Sequence, residues 1–183
     1  MLFLRCKVAL IGSAASGKSA LLQVFHSSQS AFPKSYLMTM GAELVLKEVR
    51  IPDSPVVVEL LIQDLGAQAI YDSVTTSLTS GDACPPTFYL LCVDTTSASM
   101  DYAYSWFDKH QSAASSAILV ATKSDVSDRN VAETQALAET HGIPCFVTSA
   151  AIGKDVDAPF NYTAQAFSQM YDDFIQASGA LRV

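Results

Sequence analysis

The chain is short of charge. Only 16% of its 183 residues are Asp, Glu, Lys or Arg, and 11 basic side chains against 18 acidic ones leave a net charge of −7. So few cations argue against a nucleic-acid surface or an anionic membrane as the main partner. No run of about twenty apolar residues and no signal peptide is present, the longest apolar stretch being Phe88-Tyr89-Leu90-Leu91-Cys92-Val93, so no membrane-crossing helix is expected. The four cysteines, Cys6, Cys84, Cys92 and Cys145, lack C-x-x-C spacing, and three sit in apolar strand-like runs. Buried thiols in a reducing compartment are expected, not a disulfide or zinc framework. The terminal Ala180-Leu181-Arg182-Val183 offers no cysteine for a prenyl group, so no lipid anchor is expected there. Repeats, low-complexity tracts and a second domain are also missing, and the length suits one domain over residues 1–183. A mean hydropathy of +0.25 leaves two explanations open: a large buried parallel sheet, or a permanent protein partner on apolar surface.

What is present centres on Gly12-Ser13-Ala14-Ala15-Ser16-Gly17-Lys18-Ser19. It follows the strand-like Arg5-Cys6-Lys7-Val8-Ala9-Leu10-Ile11 and leads into the helix-like Ala20-Leu21-Leu22-Gln23-Val24-Phe25, the context that the phosphate-binding pattern G-x-x-x-x-G-K-[ST] requires. Two glycines permit a turn sharp enough for successive N–H groups to hold phosphate oxygens, and the helix N-terminus adds partial positive charge. Lys18 supplies a point charge for the β- and γ-phosphates, and the Ser19 hydroxyl is a natural ligand for Mg²⁺. A Gly/Ser-rich turn that merely contains lysine is the bland alternative, and the flanking strand and helix weigh against it.

Along the chain, residues 27–41 form a long connection, unusual in a compact domain unless it has a task. Residues 43–51 and 56–62 read as an antiparallel hairpin joined by Pro52-Asp53-Ser54-Pro55, too short a turn for a parallel crossover. Residues 71–80 are weakly helical and 81–86 must break that helix. Residues 88–93 and 118–121 are buried strands with a helical segment around Tyr102, Trp106 and Phe107 between them. Asn130 with Glu133 suggests a capping box for a helix ended by His141-Gly142, and Cys145-Phe146-Val147 is the last strand. A final helix over about 157–177 has Asp157 as its cap, Pro159 in its first turn, and Phe160, Ala164, Phe167, Tyr171 and Phe174 on one face. The three histidines, His26, His110 and His141, fall near helix ends, where the dipole favours them over catalysis or metal binding.

Strands alternating with helices imply an α/β fold with a mainly parallel sheet and helices on both faces, whose ligands bind beyond the strands' carboxyl ends. Gly12, Asp64, Lys123, Asp125 and Ala150 all follow strands, so one rim is expected to gather them. Asp64 is placed to hold Mg²⁺ opposite Ser19, though a helix-capping aspartate would look the same. The Thr39 hydroxyl can complete that coordination. A carboxylate at Asp125 accepts two parallel hydrogen bonds from the N1–H and N2–H₂ edge of guanine, which adenine lacks. Lys123 would lay its stem across the base, and Ala150 would offer its N–H to guanine O6. A surface Lys-x-Asp pair is the plain alternative. A P-loop metabolite kinase fits less well, since no arginine-rich lid follows the core.

These five loops, in order, resemble the guanine-nucleotide motifs of Ras-like small GTPases over nearly the whole chain. Lys34-Ser35-Tyr36, Thr39-Met40-Gly41, Glu43-Leu44-Val45, Ile51-Pro52-Asp53, Val58-Glu59-Leu60 and the segment from Gly153-Lys154-Asp155 to Pro159-Phe160 are more similar to one Rab-like branch, the intraflagellar transport GTPases. The resemblance implies a Ras-like G domain with a mostly parallel six-stranded sheet and one antiparallel strand. It implies GTP/GDP and Mg²⁺ as ligands, with Ser13, Ala14, Ala15, Ser16, Gly17, Lys18, Ser19, Ala20, Thr39 and Ala67 on the phosphates. Thr122, Lys123, Asp125, Ser149, Ala150 and Ala151 would face the base, and Ser19, Thr39 and Asp64 the metal. It further implies a subunit of intraflagellar transport complex B, paired with the β-sandwich subunit intraflagellar transport protein 25, acting in the cytoplasm, the cilium or flagellum and the basal body.

Some residues depart from that pattern. The usual Asp-x-x-Gly is Asp64-Leu65-Gly66-Ala67, with glycine one place early; the Ala67 N–H can meet a γ-phosphate only if its backbone avoids conformations reserved for glycine. Gln68 stands where a water-orienting glutamine belongs, and the often acidic next position is Ala69. Thr122 replaces asparagine before Lys123, and Ala151 replaces a lysine after Ser149-Ala150. Nucleotide binding with slow intrinsic hydrolysis is the expectation, and an assembly scaffold with a vestigial or permanently occupied site is the alternative.

Overall fold

The computed structural model describes residues 1–28, 32–33, 35, 37–80 and 85–179, with only the backbone of residues 69, 72 and 80. Cys84, Lys34, Tyr36, the helix breaker at 81–84 and the terminus at 180–183 lie outside the described residues. The elements run β1 (Leu2–Ile11), α1 (Lys18–His26), β2 (Ala42–Arg50), β3 (Val56–Leu65), α2 (Asp72–Ser80), β4 (Phe88–Val93), α3 (Ser97–Lys109), β5 (Ala117–Ala121), α4 (Val131–His141), β6 (Cys145–Val147) and α5 (Ala158–Ser178). Short 3₁₀ turns precede α2 and β5.

Six strands make one sheet in the order β2-β3-β1-β4-β5-β6. β2 runs antiparallel to β3, and every other pairing is parallel. The hairpin arises as expected, with the Ile51 N–H donating to Val56 O and Asp53 at φ 55° in the turn. Because side chains alternate along a strand, β1 feeds two cores. Cys6, Val8 and Leu10 pack with Leu21, Phe25 and Phe160 on the α1/α5 face, while Ala9 and Ile11 pack with Trp106, Phe107 and Leu137 on the α3/α4 face. Phe25 and Phe160 stack with centroids 4.0 Å apart. Each fully buried leucine or isoleucine here contributes about 2 kcal/mol by leaving water. β4 and β5 are buried along their whole length, so the buried-sheet explanation of the high hydropathy holds, although Leu44, Leu46, Ile70 and Phe174 remain exposed. Among the described residues no helix is long and apolar enough to cross a membrane.

Three local expectations need correction. Asn130 precedes α4 but makes no side-chain cap bond. Its Nδ2 donates instead to the carbonyls of Asp94 and Thr96, 2.8 Å each, and the Glu133 carboxylate accepts from Tyr104 Oη at 3.0 Å. Asp157 stands at the N-cap of α5 with helical backbone angles and likewise makes no cap bond, because a side chain caps best from extended backbone. The α5 stripe is buried at Phe160 and Ala164 but Phe174 is 68% exposed, so the helix outruns the sheet beneath it. Cys6, Cys92 and Cys145 are free thiols, and burial pushes them up to about 12, 12 and 11, which keeps them protonated and inert. The three histidines do end their helices, and the His141 ring stacks on Phe107 at 4.0 Å while His110 stacks on Trp106 at 5.0 Å.

Candidate functional site

β1 delivers the chain at Ile11 to a loop that only a few residue types can follow. Gly12 has φ 147° and Gly17 φ 91°. A Cβ at Gly12 would sit 2.4 Å from the Cys92 carbonyl oxygen and 2.8 Å from Ser16 Oγ, so the loop lies directly on β4. Ala15 accepts φ 59° without being glycine, a strain of about 1 kcal/mol. Lys18, the first residue of α1, is buried, and its Nζ donates to the carbonyls of Gly12 at 3.0 Å and Ser13 at 2.9 Å. Burial lowers the Lys18 pKa, and the fields of Cys92, Asp64 and Asp94 oppose that. A cavity of about 480 Å³ opens over this loop, lined by Ala14, Ala15, Ser16, Gly17, Lys18, Ser19 and Ala20, and walled across by Thr39, Ala67, Gln68 and Lys123. Ser13 stands behind it, its Oγ donating to Ser99 Oγ at 3.1 Å.

At one corner of the cavity three side chains meet. Ser19 Oγ donates to Asp64 Oδ2 at 2.5 Å, Thr39 Oγ1 donates to the same oxygen at 3.1 Å, and the two hydroxyls are 2.9 Å apart. Asp64 is 1% exposed, and its Oδ1 is buried with no hydrogen-bond partner among the described residues. Burial raises the Asp64 pKa, against the Ser19 hydroxyl, the Lys18 field and the Thr39 hydroxyl. A buried carboxylate with a free oxygen and two hydroxyls is a donor set suited to a hard divalent cation, and Mg²⁺ fits it. Bound there, such an ion supplies charge neutralisation for phosphate oxygens.

The opposite corner is a cavity of about 160 Å³ lined by Thr122, Lys123, Asp125, Ala150 and Ala151 together with Gly17 and Phe32. Asp125 Oδ1 accepts a short hydrogen bond from the fully buried Ser149 Oγ, which fixes the carboxylate and leaves its other oxygen for a ligand. Thr122 Oγ1 donates to Ser16 O at 2.6 Å, tying the β5 loop to the loop between β1 and α1 from the place where asparagine is usual. Lys123 takes φ 56°. Its Cε passes 3.8 Å from where a Gly17 Cβ would stand, and its Nζ donates to Asp94 Oδ2 at 2.8 Å.

The structure therefore brings the sequence-selected site residues to one rim, with Ser13 and Ser149 standing behind it and lining neither cavity. It also shows residues that sequence reasoning passed over. Asp94, 4% exposed, ends β4 and holds four neighbours: Lys123, the Thr96 amide and hydroxyl on Oδ1, Ser99 Oγ through its own N–H, and Asn130 through its carbonyl. Burial alone would raise its pKa, but the Lys123 and Thr96 hydrogen bonds outweigh it and hold the carboxyl below its ordinary value. Its position at a strand end was the available signal. Phe32, at the junction of both cavities, had none. Ala67 stays outside the left-handed region, so alanine stands without backbone strain where glycine is usual.

The model of the Ras family matches residues 7–169. Intraflagellar transport protein 27 of Chlamydomonas reinhardtii is 36% identical over 95% of this chain and 89% of its own, and the human homologue is 33% identical over 99% and 100%. The Ras-related protein Rab-10 of Caenorhabditis elegans is 31% identical over 87% of this chain and 79% of its own. With the sheet order, the phosphate loop and these relatives in agreement, the chain belongs to the Ras family of small GTPases, in the Rab-like branch of intraflagellar transport protein 27.

Proposed function

We propose that this chain is a guanine-nucleotide-binding subunit of the intraflagellar transport machinery, with GTP/GDP and Mg²⁺ as its ligands and slow intrinsic hydrolysis. The observation that carries the reading is the corner where Ser19, Thr39 and Asp64 converge with one Asp64 oxygen unpaired among the described residues, beside the Lys18 cradle. Residues 13–20 would surround the phosphates with amides and the Lys18 charge, Ser19, Thr39 and Asp64 would hold the metal, and Asp125 would read the guanine edge. Lys123, Thr122, Ser149, Ala150 and Ala151 would shape the base pocket. The amides of Thr39 and Ala67 would sense the γ-phosphate, and Gln68 would orient the attacking water. The relatives' name supports membership of an intraflagellar transport complex. The finer reading is complex B, a stable heterodimer with intraflagellar transport protein 25, and residence in the cytoplasm, the cilium or flagellum and the basal body.

GDP and GTP affinities of the wild type and of Asp125→Asn test the ligand. Tight guanine-nucleotide binding that the variant weakens about a hundredfold supports it; equal affinity for ADP overturns it. The Asp64-Leu65-Gly66-Ala67 loop favours a second reading, an assembly scaffold whose site is vestigial or constantly filled. Partner affinity measured in the GDP and GTP forms separates the two, since a passive scaffold shows no difference.

A further inference from the structure

The two lysines of the rim are joined behind it. Lys18 Nζ donates to the Ser13 carbonyl at 2.9 Å, and the Ser13 hydroxyl donates to Ser99 Oγ at 3.1 Å. The same Ser99 oxygen accepts the Asp94 N–H at 3.0 Å, and Asp94 Oδ2 accepts from Lys123 Nζ at 2.8 Å. Ser99 is thus the crossing point of a relay from the loop that ends at Lys18 to the loop that carries Lys123. It is 1% exposed and stands in the first turn of α3, its N–H on the Thr96 carbonyl at 3.2 Å. The relay is fastened from α4 as well: Asn130 Nδ2 donates to the carbonyls of Asp94 and Thr96, and Thr134 Oγ1 donates to the Asn130 carbonyl at 2.6 Å. Two donors converge on one buried hydroxyl oxygen, so alanine at position 99 would take from the Asp94 amide the partner it has.

We infer that Ser99 is a positioning residue that couples the phosphate end of the rim to the base end, so that a phosphate taken up at Lys18 stiffens the loop that carries Lys123. The inference rests on the phosphate reading of residues 12–19 and does not need the base to be guanine. A phosphate oxygen at Lys18 has to share an ammonium that the carbonyls of Gly12 and Ser13 already hold, so its arrival fixes the Ser13 peptide against the lysine. With Ser13 fixed, its hydroxyl holds Ser99, Ser99 holds the end of β4 at Asp94, and Asp94 holds the Lys123 side chain. Hydrogen-bond networks of this kind carry coupling between sites. A second link, Thr122 Oγ1 on Ser16 O, joins the same two loops without passing through either lysine.

Inorganic pyrophosphate with Mg²⁺ tests the coupling, because that probe fills the phosphate end and carries no base. Amide hydrogen exchange is followed in the full chain at residues 12–19 and at residues 122–126. In the wild type, pyrophosphate is expected to slow exchange at both, by about fivefold at 122–126. In Ser99→Ala the slowing at 12–19 remains and that at 122–126 vanishes. Ser13→Ala, at a half-buried side chain, gives the same split and decides the matter if Ser99→Ala fails to fold. Slowing at 122–126 that survives in these variants travels through Thr122 and overturns the inference, as does protection confined to 12–19 in the wild type. A merely structural Ser99 would loosen residues 122–126 yet leave the pyrophosphate effect intact, and that result overturns it too. Absence of protection at 12–19 in the wild type is a separate failure: it removes the phosphate reading itself, and the inference with it.

Discussion

Two aspartates on one rim are built on opposite electrostatic plans. Asp94 reaches the base corner with its donors in place, a lysine on one oxygen and a threonine amide and hydroxyl on the other. Asp64, at the corner with Ser19 and Thr39, is as deeply buried but among the described residues has only two hydroxyls on one oxygen and nothing on the second. The carboxyl pKa values move in opposite directions accordingly, below the ordinary value at Asp94 and above it at Asp64. Asp94 has both oxygens satisfied before any ligand arrives; Asp64 keeps one that a bound cation would complete. On the proposed guanine-nucleotide reading the difference would suit each task, since a base pocket would serve both diphosphate and triphosphate while a metal corner would register which one is there.

The sharpest break of this contrast is Asp64→Asn. It should cost about a hundredfold in Mg²⁺-dependent GTP affinity while leaving the nucleotide-free protein at least as stable as wild type, by calorimetric titration and urea unfolding respectively. A clear loss of stability without ligand would show that Asp64 is already satisfied. Asp94→Asn should do the reverse. It removes one partner of a pair in which Lys123 is 37% exposed, so the loss of stability should be about 2 kcal/mol, less than a fully buried pair would suffer. Release of GDP and of GTP should quicken alike, and stopped-flow displacement checks this. Thr122→Val strips the hydroxyl from Ser16 O and should cost about 1 kcal/mol, again without regard to the number of phosphates.

Acidity gives the smallest and most discriminating effect, at most about 1.4 kcal/mol per pH unit for each group. Stability from Asp94 is fully present above the ordinary carboxylate pKa and is lost as pH falls through its lower folded value. For Asp64 the unfolded chain releases its proton first, so stability is lost as pH rises from the ordinary value to the higher folded one. Subtracting the Asp94→Asn and Asp64→Asn stability curves from wild type should therefore give slopes of opposite sign, without nucleotide, and slopes of the same sign would dissolve the contrast.

Much of this was legible from residues alone, and the legible part has a common character. The hairpin, the fully apolar β4 and β5, and the order of Gly12, Asp64, Lys123 and Asp125 follow from local pattern, because a strand's end dictates which residue reaches the rim. The rest depends on segments that meet only after folding. Asn130 with Glu133 has the spacing of a cap, yet both side chains are drawn to partners 29 to 36 residues away. Asp94 ties its own stretch to Lys123 and Asn130 through residue types too common to stand out. Gly66 looks like a slipped motif until the carbonyls of Thr39 and Gly41 are beside it. The exposed Phe174 obeys its helical period, but no period tells where the sheet under a helix stops.

Gly12 rests on the main chain of its neighbouring strand, with the Cys92 carbonyl where a methyl group would go. That contact divides the site by its tolerance of drift. Positions 67, 122 and 151 ride on loops that can change residue and adjust, and each here departs from the usual type. The cradle has no such latitude, because altering it means displacing the middle of the sheet. On the proposed reading, a descendant of this chain could lose any turnover by small steps while the hollow over the Gly12–Ser19 loop persisted long after.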